Sequence, residues 1–240
     1  MIGISLGCLG INKNKIMRCL FIAFLFISLS LTNSSLDAQT INDNQLWTGG
    51  TFGLKLNKKF SVSLREEFRL DNNMSSLKTD FTELGVKFKL NKHFSFAHRF
   101  RYIDVPNKKN KRRLSFDAYY SWKKKDFPLS FKYRFRFQDT KKFNSKKQAN
   151  DYIRNKFTLK YNASKLVDPY FAYEIYFRFD GKNEFRKTRI TLGLDWRLSK
   201  KMGLTTFYRL QNDINVKTPT RLNIVGLTFA YNLSLRKKSN

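Results

Sequence analysis

The sequence predicts an all-β protein, an up-and-down antiparallel transmembrane β-barrel of ten to twelve strands with short periplasmic turns and longer extracellular loops. Apolar and polar residues alternate along many segments, and short and long polar connections follow these segments in turn. After residue 39 no stretch resembles a membrane-spanning helix. Alternation sends successive side chains to opposite faces of an extended chain, and paired short and long connections are typical of outer-membrane barrels.

Eleven segments show the alternation. The clearest is LSFKYRFRFQ (129–138), in which aromatic residues alternate with lysine and arginine. The others are 46–56, 60–70, 84–90, 94–102, 114–122, 155–161, 171–179, 189–198, 204–210 and 223–233. Several are about ten residues long, which suits a tilted strand that crosses a bilayer. Because single-chain bacterial barrels usually have an even number of strands, we expect ten or twelve strands rather than eleven.

The connections fall into two kinds. LNKKF (56–60), LNKHF (90–94) and LSKKM (198–202) are variants of one tight basic turn. Longer polar segments lie between them, at 71–79, 104–113, 139–150, 180–184 and 212–220. The short turns are expected in the periplasm and the longer loops outside. The basic runs 107–113 and 141–147 suit binding to lipopolysaccharide phosphates, and simple solvated charge explains them equally well.

The first 38 residues are interpreted as a signal peptide. Basic residues precede the uncharged run CLFIAFLFISLSL (19–31), and Ala38 stands before the expected cut. The run is shorter than the roughly 20 residues of a spanning helix. We divide the rest into an N-terminal segment (39–45), the barrel (46–235) and a basic C-terminal tail (236–240). Both cysteines precede the cut, so the mature chain is expected to lack disulfides.

The net charge of +29 indicates an anionic partner, ligand or surface. Export and the loss of both cysteines argue against a cytosolic nucleic-acid binder, so no nucleic-acid partner is expected. The alternative to the membrane barrel is a secreted soluble β-sandwich or lipocalin-like protein that binds an anionic ligand. It would bury the aromatic faces and expose the basic ones, which is the commoner explanation of alternation in a single strand.

The barrel explains the whole set of strands better. Eleven consecutive strands with little helix require closure to protect their free edges. A membrane barrel places the aromatic residues, 16% of the chain, against lipid. Trp47, Trp122 and Trp196 lie near the ends of predicted strands, where interfacial aromatic girdles form.

The inward-facing positions are predominantly basic. The predicted lumen-facing basic residues are Arg65, Arg69, Arg99, Arg101, Lys132, Arg134, Arg136, Arg154, Arg178, Arg189, Arg197 and Arg209. The predicted lumen-facing acidic partners are Glu67, Glu83, Asp117, Glu174 and Asp195. Because twelve cations outnumber five carboxylates, two interpretations remain open. The barrel is either structural and filled by ion pairs, or a narrow channel that tolerates small anions, since rings of arginine or lysine favour anion passage.

Nothing in the sequence predicts an enzyme. His93 lies in a turn, and His98 shares the parity of Phe96 and Phe100, which places it at lipid or the interface. The sequence shows no serine–histidine pair, zinc spacing or glycine-rich phosphate loop. Carboxylates among arginines are expected to be ionised and structural. No cofactor and no metal are therefore expected.

Two stretches carry a family resemblance. QLWTGGTFGLKLNKKFSVSLREEFRLDNN (45–73) and FTELGVKFKLNKHFSF (81–96) resemble the DUF2490 family, Bacteroidetes-type exported proteins of undefined function that are regarded as outer-membrane barrels. The resemblance implies the outer membrane of a Gram-negative bacterium and no catalytic residue. GLTFAYNL (226–233) is similar to a barrel-assembly signal. The expected partners are outer-membrane lipid, lipopolysaccharide, the barrel-assembly machinery and small anions.

Overall fold

The computed structural model describes residues 40–143, 151–181 and 183–235, and all regular structure in these ranges is β-strand. The predicted signal peptide (1–38), the tail (236–240) and part of the basic run 141–147 lie outside the described residues. No helix in the described ranges is long and apolar enough to cross a membrane.

Eleven strands follow one another along the described chain. They are β1 (Ile41–Lys55), β2 (Phe60–Asp71), β3 (Ser76–Lys89), β4 (Phe94–Asp104), β5 (Lys111–Lys123), β6 (Leu129–Lys142), β7 (Tyr152–Tyr161), β8 (Val167–Arg178), β9 (Glu184–Arg197), β10 (Met202–Asp213) and β11 (Thr220–Ser234). Each predicted segment overlaps one of these strands. β1 begins at Ile41, so it takes in most of the stretch 39–45 that was predicted to precede the barrel.

The eleven strands close into an up-and-down barrel. Consecutive strands pair antiparallel, and β1 pairs with β11 in parallel from Ile41↔Thr220 to Lys55↔Ser234. The expectation of an even strand number was therefore wrong. With an odd number, the first and last strands run in the same direction, and a parallel ladder satisfies both of their edges.

The tight turns share one hydrogen-bonding pattern. The side-chain oxygen of Asn57 accepts hydrogen bonds from the backbone amides of Lys59 and Phe60, both at 2.8 Å. Asn91 binds the next equivalent pair of amides in the same way, and Ser199 does so with its hydroxyl oxygen. A short polar side chain at this position thus fixes the turn, as in other Asx and serine turns.

The opposite end of the barrel carries the other connections. The one between β2 and β3 consists of only Asn72–Ser75, so the predicted loop 71–79 was too long. Its flanking residues continue the two strands, and the chain reverses through left-handed backbone at Asn72, Asn73 and Met74, with φ of 51°, 54° and 68°. The remaining connections at this end span 105–110, 143–151, 179–183 and 214–219.

The two faces of the sheet differ sharply in polarity. In β6 the outward Phe137 is 42% exposed, whereas its inward neighbour Arg136 is 5% exposed. Among the residues that the structure describes, buried polar and charged side chains outnumber buried apolar ones. The barrel is thus apolar outside and polar inside, the reverse of a soluble barrel.

Trp47 corrects the predicted aromatic girdle. Its side chain is 5% exposed and packs inside the barrel with Leu222 and Ile224. Its indole nitrogen donates a hydrogen bond to Gln45 at 3.0 Å. Trp196 lies on the outward face and donates to Thr206 at 3.1 Å. Position near a strand end does not determine which face of the sheet a side chain takes. The prediction of an outward side chain was therefore correct for Trp196 and wrong for Trp47.

Candidate functional site

A cavity of about 390 Å³ lies inside the barrel, and its lining is strongly basic. We call it the central cavity. Its basic residues are Arg65, Arg69, Arg99, Arg101, Arg113, Arg134, Arg136, Arg154, Lys156, Lys187, Arg189 and Arg209. Its acidic residues are Glu67, Glu83 and Glu174. The twelve cations exceed the three carboxylates fourfold, so the lining has a large positive excess.

The structure brings nine of the twelve predicted basic residues to the central cavity. The other three lie elsewhere. Lys132 stands over the ring of Tyr119, with 4.6 Å from its Nζ to the ring centroid. Arg178 pairs with Asp180 beyond the end of β8. Arg197, at the short-turn end, binds Asp168 at 2.6 Å.

Three basic lining residues were not predicted from the sequence: Arg113, Lys156 and Lys187. Lys156 shares the parity of Arg154 in β7, so the alternation contained the signal. Arg113 was assigned to a loop, but β5 begins at Lys111 and carries it inward. Lys187 follows the register irregularity between Tyr176 and Phe177 on the paired strand.

Two carboxylates, on β2 and β3, bind the arginines on the β2–β4 side of the interior. Glu67, 2% exposed, pairs with Arg65 and with Arg69, the latter at 2.7 Å. Glu83 binds Arg101 at 2.6 Å and Arg99 at 3.1 Å. Each carboxylate is thereby shared between two guanidinium groups, which suits acceptor-only oxygens that are removed from water.

Two further carboxylates continue the network around the barrel. Asp117, fully buried, binds Arg99 at 3.0 Å and also Arg136. Glu174 pairs with three arginines: Arg134, Arg154 at 2.8 Å and Arg189 at 3.7 Å. The fifth predicted acidic residue, Asp195, pairs with Lys160 and does not line the central cavity.

Aromatic rings inside the barrel supplement the carboxylates. The guanidinium of Arg69 lies 3.7 Å from the ring centroid of Trp47, and that of Arg101 lies 3.5 Å from the centroid of Phe81. Arg154 lies over Tyr176 at 4.2 Å. Ring faces attract cations, so these rings add to the stabilisation of arginines that also share a carboxylate with other arginines.

A second cavity, of about 630 Å³, lies at the short-turn end. We call it the short-turn cavity. Its lining contains no acidic residue and seven lysines: Lys55, Lys58, Lys59, Lys87, Lys89, Lys200 and Lys201. Arg99 lines both cavities and is their common residue. Glu83, Asp117 and the hydroxyl of Tyr119 bind its guanidinium, so Arg99 is fixed between the two spaces.

Gly85 leaves room for Arg99. A Cβ atom built on Gly85 would lie 3.2 Å from Nη1 of Arg99 and 2.7 Å from Oγ of Ser63. A larger residue here would press on the arginine. The sequence therefore combines a small residue on β3 with a long one on β4 where the two cavities meet.

Two aspartates that lie outside the strands, near the long-loop end, have pKa values shifted in opposite directions. The hydrogen bond from Arg178 lowers the pKa of Asp180 from its usual value. Burial raises the pKa of Asp151, which is 5% exposed.

The two histidines lie away from both cavities. Nδ1 of His93 is 3.0 Å from the carbonyl oxygen of Ser121. His98 lies between Val86 and Phe116 in the sheet.

Comparison with known proteins gives one family. No curated protein matches the chain. A family model described as "Protein of unknown function (DUF2490)" matches residues 44–223 of the 240. The match spans almost the whole barrel, from within β1 into β11. It confirms the resemblance seen in residues 45–96, and the chain belongs to the DUF2490 family.

Proposed function

We propose that this chain is an outer-membrane β-barrel of a Gram-negative bacterium that acts as a narrow, anion-tolerant channel. The closed barrel and its apolar outer face support the membrane location. A single closed sheet does not fit the soluble β-sandwich alternative, and a lipocalin-like protein would need a polar exterior. The proposal includes no catalytic step, because two or three arginines engage each carboxylate of the central cavity.

The cation excess of the interior carries the channel proposal. The central cavity has twelve basic residues against three acidic ones, and the short-turn cavity has eight against none. Guanidinium groups without a carboxylate need water or an anion. Rings of arginine and lysine raise the local concentration of anions and oppose cations.

Conductance across a planar lipid bilayer tests the channel. The purified barrel should give a small current whose reversal potential in a salt gradient shows a preference for chloride over potassium. Arg99→Ala should raise the conductance several-fold, because it removes the side chain that stands between the two cavities. Arg112→Ala is the matched control, since Arg112 is exposed on the outward face of β5 and should leave the current unchanged. A wild-type current that prefers cations would overturn the proposal.

A structural barrel is the second candidate, and the fixing of Arg99 favours it. Three partners hold this side chain across the passage, so ion pairs would fill the interior. A silent wild-type barrel together with a conducting Arg99→Ala variant would support this candidate over the channel. Ion pairs would then serve to keep the barrel closed.

The membrane location has its own test. A folded outer-membrane barrel resists detergent at room temperature, so protein from the outer-membrane fraction should change its electrophoretic mobility on heating. Recovery from the soluble periplasm without detergent would contradict the location and favour a secreted protein.

We further propose two partners. Lipopolysaccharide would bind the basic connections. The barrel-assembly machinery would bind β11, in which Phe229 and Tyr231 both point to the outward face of the barrel.

A further inference from the structure

Three neighbouring cations on the wall of the central cavity have donor groups without partners. Lys156 in β7 lies directly opposite Arg134 of β6 and Glu174 of β8. Arg209 of β10 lines the same cavity as Arg134 and Lys156. We call Arg134, Lys156 and Arg209 the three-cation cluster. Like charges directly opposite in neighbouring strands are destabilising, so this arrangement needs a compensating charge.

Each of the three cations has an identifiable nitrogen that can donate a further hydrogen bond. The Nε atom of Arg134 is buried and has no hydrogen-bond partner in the described chain. The ammonium group of Lys156 lines the central cavity and makes no hydrogen bond with a described residue, although the carboxylate of Glu174 lies on the opposite position of β8. Arg209 donates from Nε to the hydroxyl of Thr191 at 2.9 Å, which leaves its two terminal nitrogens for another acceptor.

Glu174 supplies only part of the compensating charge. It faces Lys156 across the strand pair, but its two oxygens already engage Arg134, Arg154 and Arg189. Tyr176 donates a further hydrogen bond to it at 3.3 Å. One negative charge that three arginines already share cannot also balance the ammonium of Lys156 and the guanidinium of Arg209.

We propose that the three-cation cluster binds a small oxyanion of the phosphate or sulfate class. This inference rests on the proposed function and names the solute class for the same interior. A tetrahedral oxyanion offers several acceptor oxygens and two negative charges, which match the two terminal nitrogens of Arg209, the ammonium of Lys156 and the donors of Arg134 that Glu174 does not engage. A monovalent halide offers one charge and no fixed geometry.

The size of the cavity is consistent with this ligand. About 390 Å³ corresponds to roughly a dozen water molecules at about 30 Å³ each. A bare oxyanion and its remaining water fit in this space, and so does the phosphate group of a small monoester. The ligand is therefore either the free ion or the same group carried by a small solute.

Binding to the full-length barrel in detergent tests the proposal without any current. Isothermal titration with inorganic phosphate in a chloride buffer should show one saturable site per barrel. Lys156→Met and Arg209→Gln should each weaken the binding at least tenfold, since each removes one charge from the cluster. Lys132→Met is the matched control, because Lys132 also lacks an ion pair but lies over Tyr119 outside the central cavity.

The source of the phosphate group needs its own comparison. Parallel titrations with sulfate and with a sugar phosphate separate the free ion from a monoester. Heat-modifiable mobility checks that every variant is folded.

The oxyanion site and the channel can be confirmed or rejected independently of each other. Saturable phosphate binding that Lys156→Met removes and Lys132→Met preserves supports the site, even for a barrel that passes no current. Equal weakening by both lysine variants would show general electrostatic attraction and overturn it. So would the absence of saturable binding, or equal competition by chloride. A conducting barrel without phosphate binding would retain the channel and remove the site.

Discussion

At the scale of the residue, Glu174 shows how this interior balances its charges. It is 5% exposed and pairs with three arginines from three different strands. Its carboxylate thus joins β6, β7 and β9 to β8. Removal of one partner from a buried ionic network leaves uncompensated charges, which costs more than the loss of an exposed pair.

Glu174→Gln should lower the free energy of unfolding by about 3 kcal/mol, because three guanidinium groups lose their shared anion. Chemical denaturation of the barrel in lipid vesicles measures this change. Glu184→Gln provides the control, since Glu184 forms a partly exposed pair with Arg186 at 3.2 Å. The control should cost less than about 1 kcal/mol. Similar losses in both variants would show that the interior network does not stabilise the barrel.

The side that a residue faces was largely readable from the sequence. The parity of LSFKYRFRFQ placed Arg134 and Arg136 inside, and the structure has them there. Which carboxylate each arginine binds was not readable, because the pairing depends on register between distant strands. Trp47 was assigned to the interface because it lies near the start of the predicted strand 46–56, but it shares its face with inward-pointing Gln45 and lies beneath Arg69.

At the scale of the element, two glycines of β1 show how closely this strand approaches β2. Gly49 and Gly50 are adjacent but meet different surroundings. A Cβ atom on Gly49 would lie 2.1 Å from the carbonyl oxygen of Glu66 and 2.8 Å from the Cα of Glu67. A Cβ atom on Gly50 would have its nearest neighbour, the carbonyl oxygen of Phe229, at 4.0 Å. The backbone of β2 therefore tolerates a side chain at Gly50 but not at Gly49.

Gly49→Ala should cost about 2 kcal/mol or more, because backbone atoms of β2 must shift to admit the methyl group. Gly50→Ala should be nearly neutral. The folded fraction of each refolded variant, read from its heat-modifiable mobility, checks the difference. Equal folded fractions would contradict the close approach of β1 and β2.

Strand positions and turn motifs were predictable because both are local. Alternation located all eleven strands, and the repeated turn motif identified three connections in which an asparagine or serine oxygen binds two amides. Strand ends were less predictable, especially at the long-loop end. The stretch 71–79 is polar like a loop, but its outer residues pair across β2 and β3, and polarity alone does not report pairing.

At the scale of the whole molecule, the parallel closure was the feature that the sequence did not predict. Eleven candidate strands were counted, yet the even-number rule argued for ten or twelve. Closure is a property of the two terminal strands, whose paired residues lie 179 positions apart in the sequence. No local pattern distinguishes a strand that pairs in parallel from one that pairs antiparallel at this position.

The odd strand number determines at which end of the barrel β1 begins and β11 finishes. The amide of Ile41 bonds to the carbonyl of Pro219 in the β10–β11 connection, so β1 starts at the long-loop end. The amide of Leu235 bonds to the carbonyl of Lys55, so β11 finishes at the short-turn end. A barrel that spans a membrane in this form has the start of β1 on one side and the end of β11 on the other.

An epitope tag placed immediately before Thr40 should therefore label on intact cells, and a tag placed immediately after Leu235 should label only after permeabilisation. This orientation follows from short turns in the periplasm. A third tag, between Asn107 and Lys108, is the control, since that connection lies at the same end as the start of β1. It should label together with the first tag whatever the orientation. If the tags at Thr40 and Leu235 labelled from the same side, the barrel in the membrane would have an even number of strands, and the parallel pair of β1 with β11 would be absent.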